Sequence, residues 1–282
     1  MRIGLINIEP KIVNTAYMQI SQYHKQKGDS VEWWTPLEHR QFDVVYCSSL
    51  FDFTDKSQIP KDVICGGTGF NINSKLSKYM EQCDYDYSLY PDCDYSIVWF
   101  SRGCIRNCPF CCVRQKEGYI HPVEPKPLNI KSKYIAVQDN NFFANTGWLK
   151  AIKYLFSTEL LIDFNSGIDA RILTEQQGKI LSRLRLYKQI KIAWDNPKED
   201  LLPKLKQIIG WIPAYKLMCY VLIGYWSTPE EDLYRVETLR KLKIDPFVMP
   251  YNKKDPYQKA FARWVNHKAI FKTVKWRFYG NK

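Results

Sequence analysis

Three thiols share one short loop, Ser101-Arg102-Gly103-Cys104-Ile105-Arg106-Asn107-Cys108-Pro109-Phe110-Cys111-Cys112, at the spacing C-x3-C-x2-C. Thiolates hold iron–sulfur clusters, and three of them can bind three irons of a [4Fe–4S] cube while the fourth iron stays open. An open iron suits a catalytic centre, whereas an electron carrier normally has four Cys ligands. A structural zinc site would need a second pair of Cys or His ligands, and none follows. Cys219 stands alone downstream, and His24, His39, His121 and His267 form no spaced pair. Cys112, beside Cys111, reads as a packing residue.

The elements that must carry this loop are legible around it. Residues 95–100 alternate and are rich in β-formers, so a strand runs straight into the first cysteine. Further strands read over residues 133–137, 160–164, 190–194, 217–223 and 246–250. Amphipathic helices lie between them. Trp148, Leu149, Ile152, Leu155 and Phe156 share one helical face, as do Leu201, Leu202, Leu205, Ile208 and Ile209. Thr174 with Gln177, and Thr228-Pro229 with Glu231, read as capping boxes that open two more helices. Strands alternating with helices predict an α/β protein with a parallel sheet.

The cysteine loop resembles the signature of the radical S-adenosylmethionine (radical SAM) enzymes. The resemblance covers residues 95–250 and implies a partial six-stranded (β/α) barrel with its chemistry at the C-terminal strand ends. It implies that SAM chelates the open iron of a [4Fe–4S] cluster on Cys104, Cys108 and Cys111, and that an external flavodoxin- or ferredoxin-like protein supplies an electron. SAM then breaks to methionine and a 5′-deoxyadenosyl radical that takes hydrogen from a substrate. Phe110 matches the aromatic residue that the family places near adenine. Gln138-Asp139-Asn140-Asn141-Phe142 is similar to the Asp-Asp-Asn-Phe variant of the segment that accepts from the SAM amino group, a cation that suits a carboxylate or amide acceptor. In Asn165-Ser166-Gly167-Ile168-Asp169-Ala170-Arg171, Ser166 and Asp169 would hold ribose hydroxyls and Arg171 the SAM carboxylate. Trp194-Asp195-Asn196 ends the fourth strand. Val221-Leu222-Ile223-Gly224 resembles the Gly-x-Ile-x-Gly segment that lies against adenine, with Val221 in place of its first glycine. Each of these segments also reads as ordinary turn chemistry; their recurrence at successive strand ends favours the site.

Residues 1–92 read as a separate, small Rossmann-like α/β domain, with strands at 1–8, 31–34, 42–46 and 62–65. Asn14 caps a helix over 15–27, and Gly28 ends it. Gly66-Gly67-Thr68-Gly69 reads as a tight turn; no G-x-G-x-x-G opens a helix. The placement resembles the cobalamin-binding-like domains of related enzymes. The Asp-x-His-x-x-Gly that supplies a lower cobalt ligand is absent, so cobalamin would bind without one, or the domain serves packing or substrate contact. Cys47, Cys65, Cys83 and Cys93 raise the question of a second cluster, as in radical SAM methylthiotransferases. Their wide spacing, and Asn7-Ile8-Glu9-Pro10 where that family has its early cysteine, favour buried structural thiols.

The 282 residues are 45% hydrophobic, which excludes disorder, and carry nine Cys and a formal net charge of +12. No apolar run approaches the ~20 residues of a membrane span. Met1-Arg2-Ile3 leads directly into a strand, so a cytoplasmic, reducing location is expected. The barrel is expected over residues 93–252. The segment 253–282 packs on or extends it, with nine Lys or Arg, Lys282 among them, against Asp255 alone. Tyr257, Phe261, Trp264, Phe271, Trp276, Phe278 and Tyr279 are interleaved with these charges. Such a mixture either binds nucleic acid, through phosphate contacts and base stacking, or seals the barrel with its lysines outside. A peptide, protein or phosphorylated small molecule is the alternative substrate, and a non-catalytic Fe–S or zinc module is the alternative of another class.

Overall fold

A computed structural model describes residues 1–279, so Lys282 lies outside the described residues. The chain divides into two compact units. The first joins Met1–Ser96 with Cys111–Gly118 and Pro125–Ser132; the second joins Ile97–Phe110 and Tyr119–Glu124 with the chain from Lys133 onward.

In the first unit, β1 (Arg2–Ile6), β2 (Ser30–Trp33), β3 (Val44–Ser48) and β4 (Ile64–Gly66) form one sheet in the order β2-β1-β3-β4. All three pairings are parallel. β1 is central, which explains its apolar run: Ile3, Leu5 and Ile6 are buried between strands on either side. The crossover helix α1 (Thr15–Gln26) starts where Asn14 accepts from Ala16 N at 3.0 Å, and Gly28 follows it at φ +83°. Tyr17 and Ile20 pack on Leu5. The Tyr17 hydroxyl donates to the Ile6 and Ser48 carbonyls, tying α1 to the C-terminal ends of β1 and β3. A short helix, α2 (Lys78–Gln82), follows.

β5 (Tyr95–Val98) leads into the cysteine loop. The hairpin β6 (Ser101–Arg102) and β7 (His121–Pro122) and the short helix α3 (Val113–Glu117) come next. Strands β8 (Tyr134–Val137), β9 (Leu161–Phe164), β10 (Ile190–Ala193), β11 (Leu217–Ile223) and β12 (Asp245–Pro250) alternate with helices α4 (Trp148–Ser157), α5 (Glu175–Arg183), α6 (Leu202–Trp211) and α7 (Pro229–Lys241). The strands fall into two sheets in chain order, β5-β8-β9 and β10-β11-β12. The pairs β8–β9, β10–β11 and β11–β12 are parallel. The protein is therefore of mixed α/β class with parallel sheets, and its described strands close no barrel. Ladder pairing lapses between β9 and β10, where only the isolated parallel bridges Ile162↔Leu186 and Ile168↔Ile192 remain. Lys191 and Asp163 form a buried ion pair across this seam.

Both capping boxes form. Thr174 with Gln177 opens α5 and Thr228 with Glu231 opens α7, each with its reciprocal hydrogen bonds. Arg235 of α7 is fully buried and pairs with Asp232 at 2.6 Å. It also donates to the carbonyls of Trp194, Asp195 and Leu222 at 2.8, 3.1 and 3.0 Å. One guanidinium thus satisfies carbonyls after β10 and within β11 and fixes α7 against both.

The basic C-terminal segment forms α8 (Pro256–Asn266), α9 (Lys268–Thr273) and α10 (Trp276–Tyr279). Phe261, Trp264 and Phe271 are buried, and the Arg240 guanidinium lies 4.0 Å over the Phe271 ring. Trp264 Nε1 donates to the Val274 carbonyl at 2.9 Å. These aromatics build core, so they are not free to stack bases; Phe278, 63% exposed, is an exception. Among the described residues no helix is long and apolar enough to cross a membrane.

Candidate cluster and cofactor site

The boundary of the two units passes through the cysteine motif: Cys104, Cys108 and Phe110 group with the second unit, and Cys111 begins a segment that groups with the first. All nine cysteines are free thiols. Among the described residues, no three His, Cys, Asp or Glu side chains are gathered as a ready-made metal site.

What surrounds Cys104 is specific. Its sulfur accepts from the Arg106 backbone N–H at 3.3 Å and from Asn141 Nδ2 at 3.8 Å. N–H groups aimed at a sulfur orient it and tune any metal it holds. Asn141 is buried and its Nδ2 also donates to Asp169 Oδ2 at 3.2 Å. Its other amide atom, Oδ1, is buried without a hydrogen-bond partner. An orphaned acceptor is costly in a folded interior, by about 1–3 kcal/mol, unless a donor arrives from a ligand.

Asp169 is the hub. It caps the short turn Ala170–Ile172 after β9. It accepts from Arg106 Nε at 3.0 Å, Arg171 Nε at 2.6 Å and Arg171 N at 3.2 Å, besides Asn141. A carboxylate has about four acceptor positions, so Asp169 is saturated within the protein. Burial would raise its carboxyl, and the two guanidinium partners more than reverse this, holding it below the ordinary carboxylate range. Burial opposes the charge of Arg171, while Asp169, Glu199 and Cys108 favour it and push it up. Glu199 reaches Arg171 Nη1 at 3.4 Å.

The remaining expected residues divide. Asp139 is buried at 2% exposure. Its carboxylate accepts from Phe100 N at 2.9 Å and Ser101 Oγ at 2.6 Å, tying the end of β5 to the segment after β8. Burial pushes its carboxyl up to about 6. Gln138 and Ser166 meet at the strand ends, where Ser166 Oγ donates to the Gln138 carbonyl at 3.1 Å and Asn165 donates to Gln138 Oε1 at 3.2 Å. Asn140 follows Asp139 in this loop. Gly224, at φ +76°, abuts Gln258 so closely that a Cβ would overlap that side chain. The glycine is thus required by packing as well as by backbone conformation. Phe110 sits edge to face with Tyr225 and Trp226, each at 5.7 Å.

Asn141 and Arg106 are the members of this site that sequence reasoning passed over. The signal was available for Arg106, a cation between two cysteines. Asn141 lies in the motif itself, and only its buried orientation separates it from Asn140.

In the first unit, Cys47 and Cys65 are register partners across β3 and β4. Cys47 is buried and its thiol is pushed up to about 12 by that burial, the behaviour of a packing thiol. The strand order reverses between β1 and β3, where doubly wound sheets bind ligands. Here the carboxylate of Glu9 fills the place. It accepts from Leu50 N at 2.9 Å, Phe51 N at 3.1 Å, Ser49 Oγ at 3.0 Å and Thr54 Oγ1 at 2.6 Å. Burial would raise Glu9, and these donors override it and hold it low. Gly67 and Gly69 press against Ser49 and Phe51, so the glycine-rich turn is a packing device. A cavity of about 370 Å³ opens elsewhere, beside Asn7, Lys11, Trp33, Tyr90 and Asp92.

No protein-family model matches the chain. Among curated proteins it is similar to the ribosomal protein uS12 methylthiotransferase RimO of Thermodesulfovibrio yellowstonii, at 24% identity over 213 residues. The match covers 64% of this chain and 50% of that protein, so the chain spans about half the length of the relative. At the level of the superfamily, this distant likeness supports the radical SAM resemblance carried by the cysteine loop.

Proposed function

We propose that the chain is a radical SAM enzyme of the partial-barrel type. In this reading Cys104, Cys108 and Cys111 hold a [4Fe–4S] cluster, and the residues around Asp169 orient SAM. The observation that carries the proposal is the pair of N–H donors on Cys104 beside the orphaned, buried Oδ1 of Asn141. With its cluster bound, SAM supplies a carbon-centred radical able to take hydrogen from an unactivated position.

The protein's own share is placement. Asn141 Oδ1 offers an acceptor suited to an ammonium group. Arg171 uses Nε and Nη1 within the site, which leaves Nη2 to reach a carboxylate. Asp169, already saturated, positions Arg106, Arg171 and Asn141 rather than binding ribose itself. Asp139 acts one step back by holding the loop after β8. Cobalamin has no part in this proposal, because Glu9 fills the switch point of the first unit. The reading includes a flavodoxin- or ferredoxin-like electron donor and a cytoplasmic location. Methylthio transfer, the relative's reaction, is the first product class to seek.

Anaerobic reconstitution with iron and sulfide, then reduction and addition of SAM, should yield 5′-deoxyadenosine from the wild type and none from Cys104→Ala. Zinc bound in place of a cluster would support a non-catalytic module and overturn the proposal.

A further inference from the structure

The two sides of β1 are built differently at its C-terminal end. Toward β3, the Glu9 carboxylate fills the switch point and draws on four donors. Toward β2 lies the cavity of about 370 Å³, within the ~300–1,000 Å³ range of small-molecule sites. Asn7 and Lys11 line it from the segment after β1, Trp33 from the end of β2, and Asp92 from the segment before β5. All of its lining residues belong to the first unit. Its rings are braced. Trp33 meets Tyr17 at 5.6 Å and Tyr90 at 5.5 Å, both edge to face. The Tyr90 hydroxyl accepts from Asn14 N at 3.1 Å, and Ile12, Val13 and Leu89 add aliphatic surface. Rings held in this way lose little entropy when an apolar group lies against them.

The polar groups narrow the occupant. Among the described residues, the side chains of Asn7, Lys11 and Asp92 make no hydrogen bond or ion pair, and the Trp33 indole N–H has no acceptor. Lys11 and Asp92 supply one cation and one anion, so the lining is neutral in sum. Lys131, whose Nζ donates to the Pro91 carbonyl at 3.3 Å, does not line the cavity. A phosphate would meet the Asp92 carboxylate, and residues 7–13 contain no glycine to bring backbone N–H groups around it. An α-amino acid answers both charges at once. Its carboxylate suits Lys11, its ammonium suits Asp92, and an apolar side chain suits the rings and the aliphatic wall.

We infer that this cavity binds a free α-amino acid with an aromatic or other large apolar side chain, its carboxylate on Lys11, its ammonium on Asp92 and its side chain against Trp33 and Tyr90. Such binding does not rest on the radical SAM proposal. The test is isothermal titration calorimetry of the full, cluster-reconstituted chain with L-phenylalanine, which should bind saturably and one to one. The Cys104→Ala chain should bind it equally well. 3-Phenylpropionate, which lacks the ammonium, and 2-phenylethylamine, which lacks the carboxylate, should each bind about 10-fold more weakly. Lys11→Ala should weaken phenylalanine by about 10-fold and leave phenylethylamine unchanged. Asp92→Asn should likewise weaken phenylalanine and leave phenylpropionate unchanged. Both side chains are exposed, so the variants should keep the wild-type thermal midpoint. No saturable binding of L-phenylalanine, its loss in Cys104→Ala, wild-type affinity in both charge variants, or displacement by inorganic phosphate would each overturn the inference.

Discussion

Asp169 gathers two arginines and an amide onto one carboxylate within reach of Cys104. Removing its charge releases all of them together. Asp169→Asn should weaken SAM binding by about 10- to 100-fold, from the ~1.5–3 kcal/mol of a hydrogen bond to a charged group, as read by equilibrium dialysis on the reconstituted protein. Asp139 makes the opposite electrostatic statement. Its folded carboxyl titrates at about 6, above the unfolded range, so the folded state binds the extra proton between ordinary carboxylate values and about 6. Stability should therefore fall as pH rises through that window, and Asp139→Asn should flatten this part of a thermal-midpoint profile. At this scale, spacing draws attention to the cysteines, and the family resemblance to Asp169 and Arg171. They do not expose which of Asp139, Asn140 and Asn141 turns inward, because that depends on the side chains each loop residue meets after folding.

Helix starts are the most legible elements, because a capping box is local: Thr174–Gln177 and Thr228–Glu231 act within four residues of chain. The strands expected from 95 to 250 all form: β5, β8, β9 and β10 are each shorter by one or two residues at one end, β11 has the expected bounds, and β12 starts one residue earlier. The buried Arg235–Asp232 pair was not legible, since an i, i+3 pair of opposite charge reads the same on a solvent face. Truncation to Arg235→Met leaves Asp232 buried without its partner and should cost about 3–5 kcal/mol. Thr228→Ala at the same helix should cost about 1 kcal/mol; urea unfolding curves separate the two. The aromatic C-terminal segment had two readings; Phe261, Trp264 and Phe271 are buried in it, while Phe278 is exposed.

Across the molecule, parallel pairing follows from alternation of strand and helix, but the lapse between β9 and β10 does not. Asp163 and Lys191 lie within otherwise apolar strands and face each other across that lapse. Lys191→Met should destabilise by about 3–5 kcal/mol, whereas Asp163→Leu with Lys191→Met should lie far closer to wild type. A double-mutant cycle by chemical denaturation measures the coupling. Chain division into two units is likewise only half legible, because Cys111–Gly118 and Pro125–Ser132 return to the first unit after the chain has entered the second.

Glu9 has a consequence for chemical rescue. Two backbone amides and two hydroxyls converge on its carboxylate, so the protein carries a built-in counterpart of a bound carboxylic acid. Cutting the side chain back to Glu9→Ala should lower the thermal midpoint and vacate that cradle. Added formate or acetate should then restore part of the loss in the variant and leave the wild type unmoved. An exogenous acid would thereby act as a prosthetic side chain, and its dissociation constant would measure how firmly the four donors are held in place without their native guest.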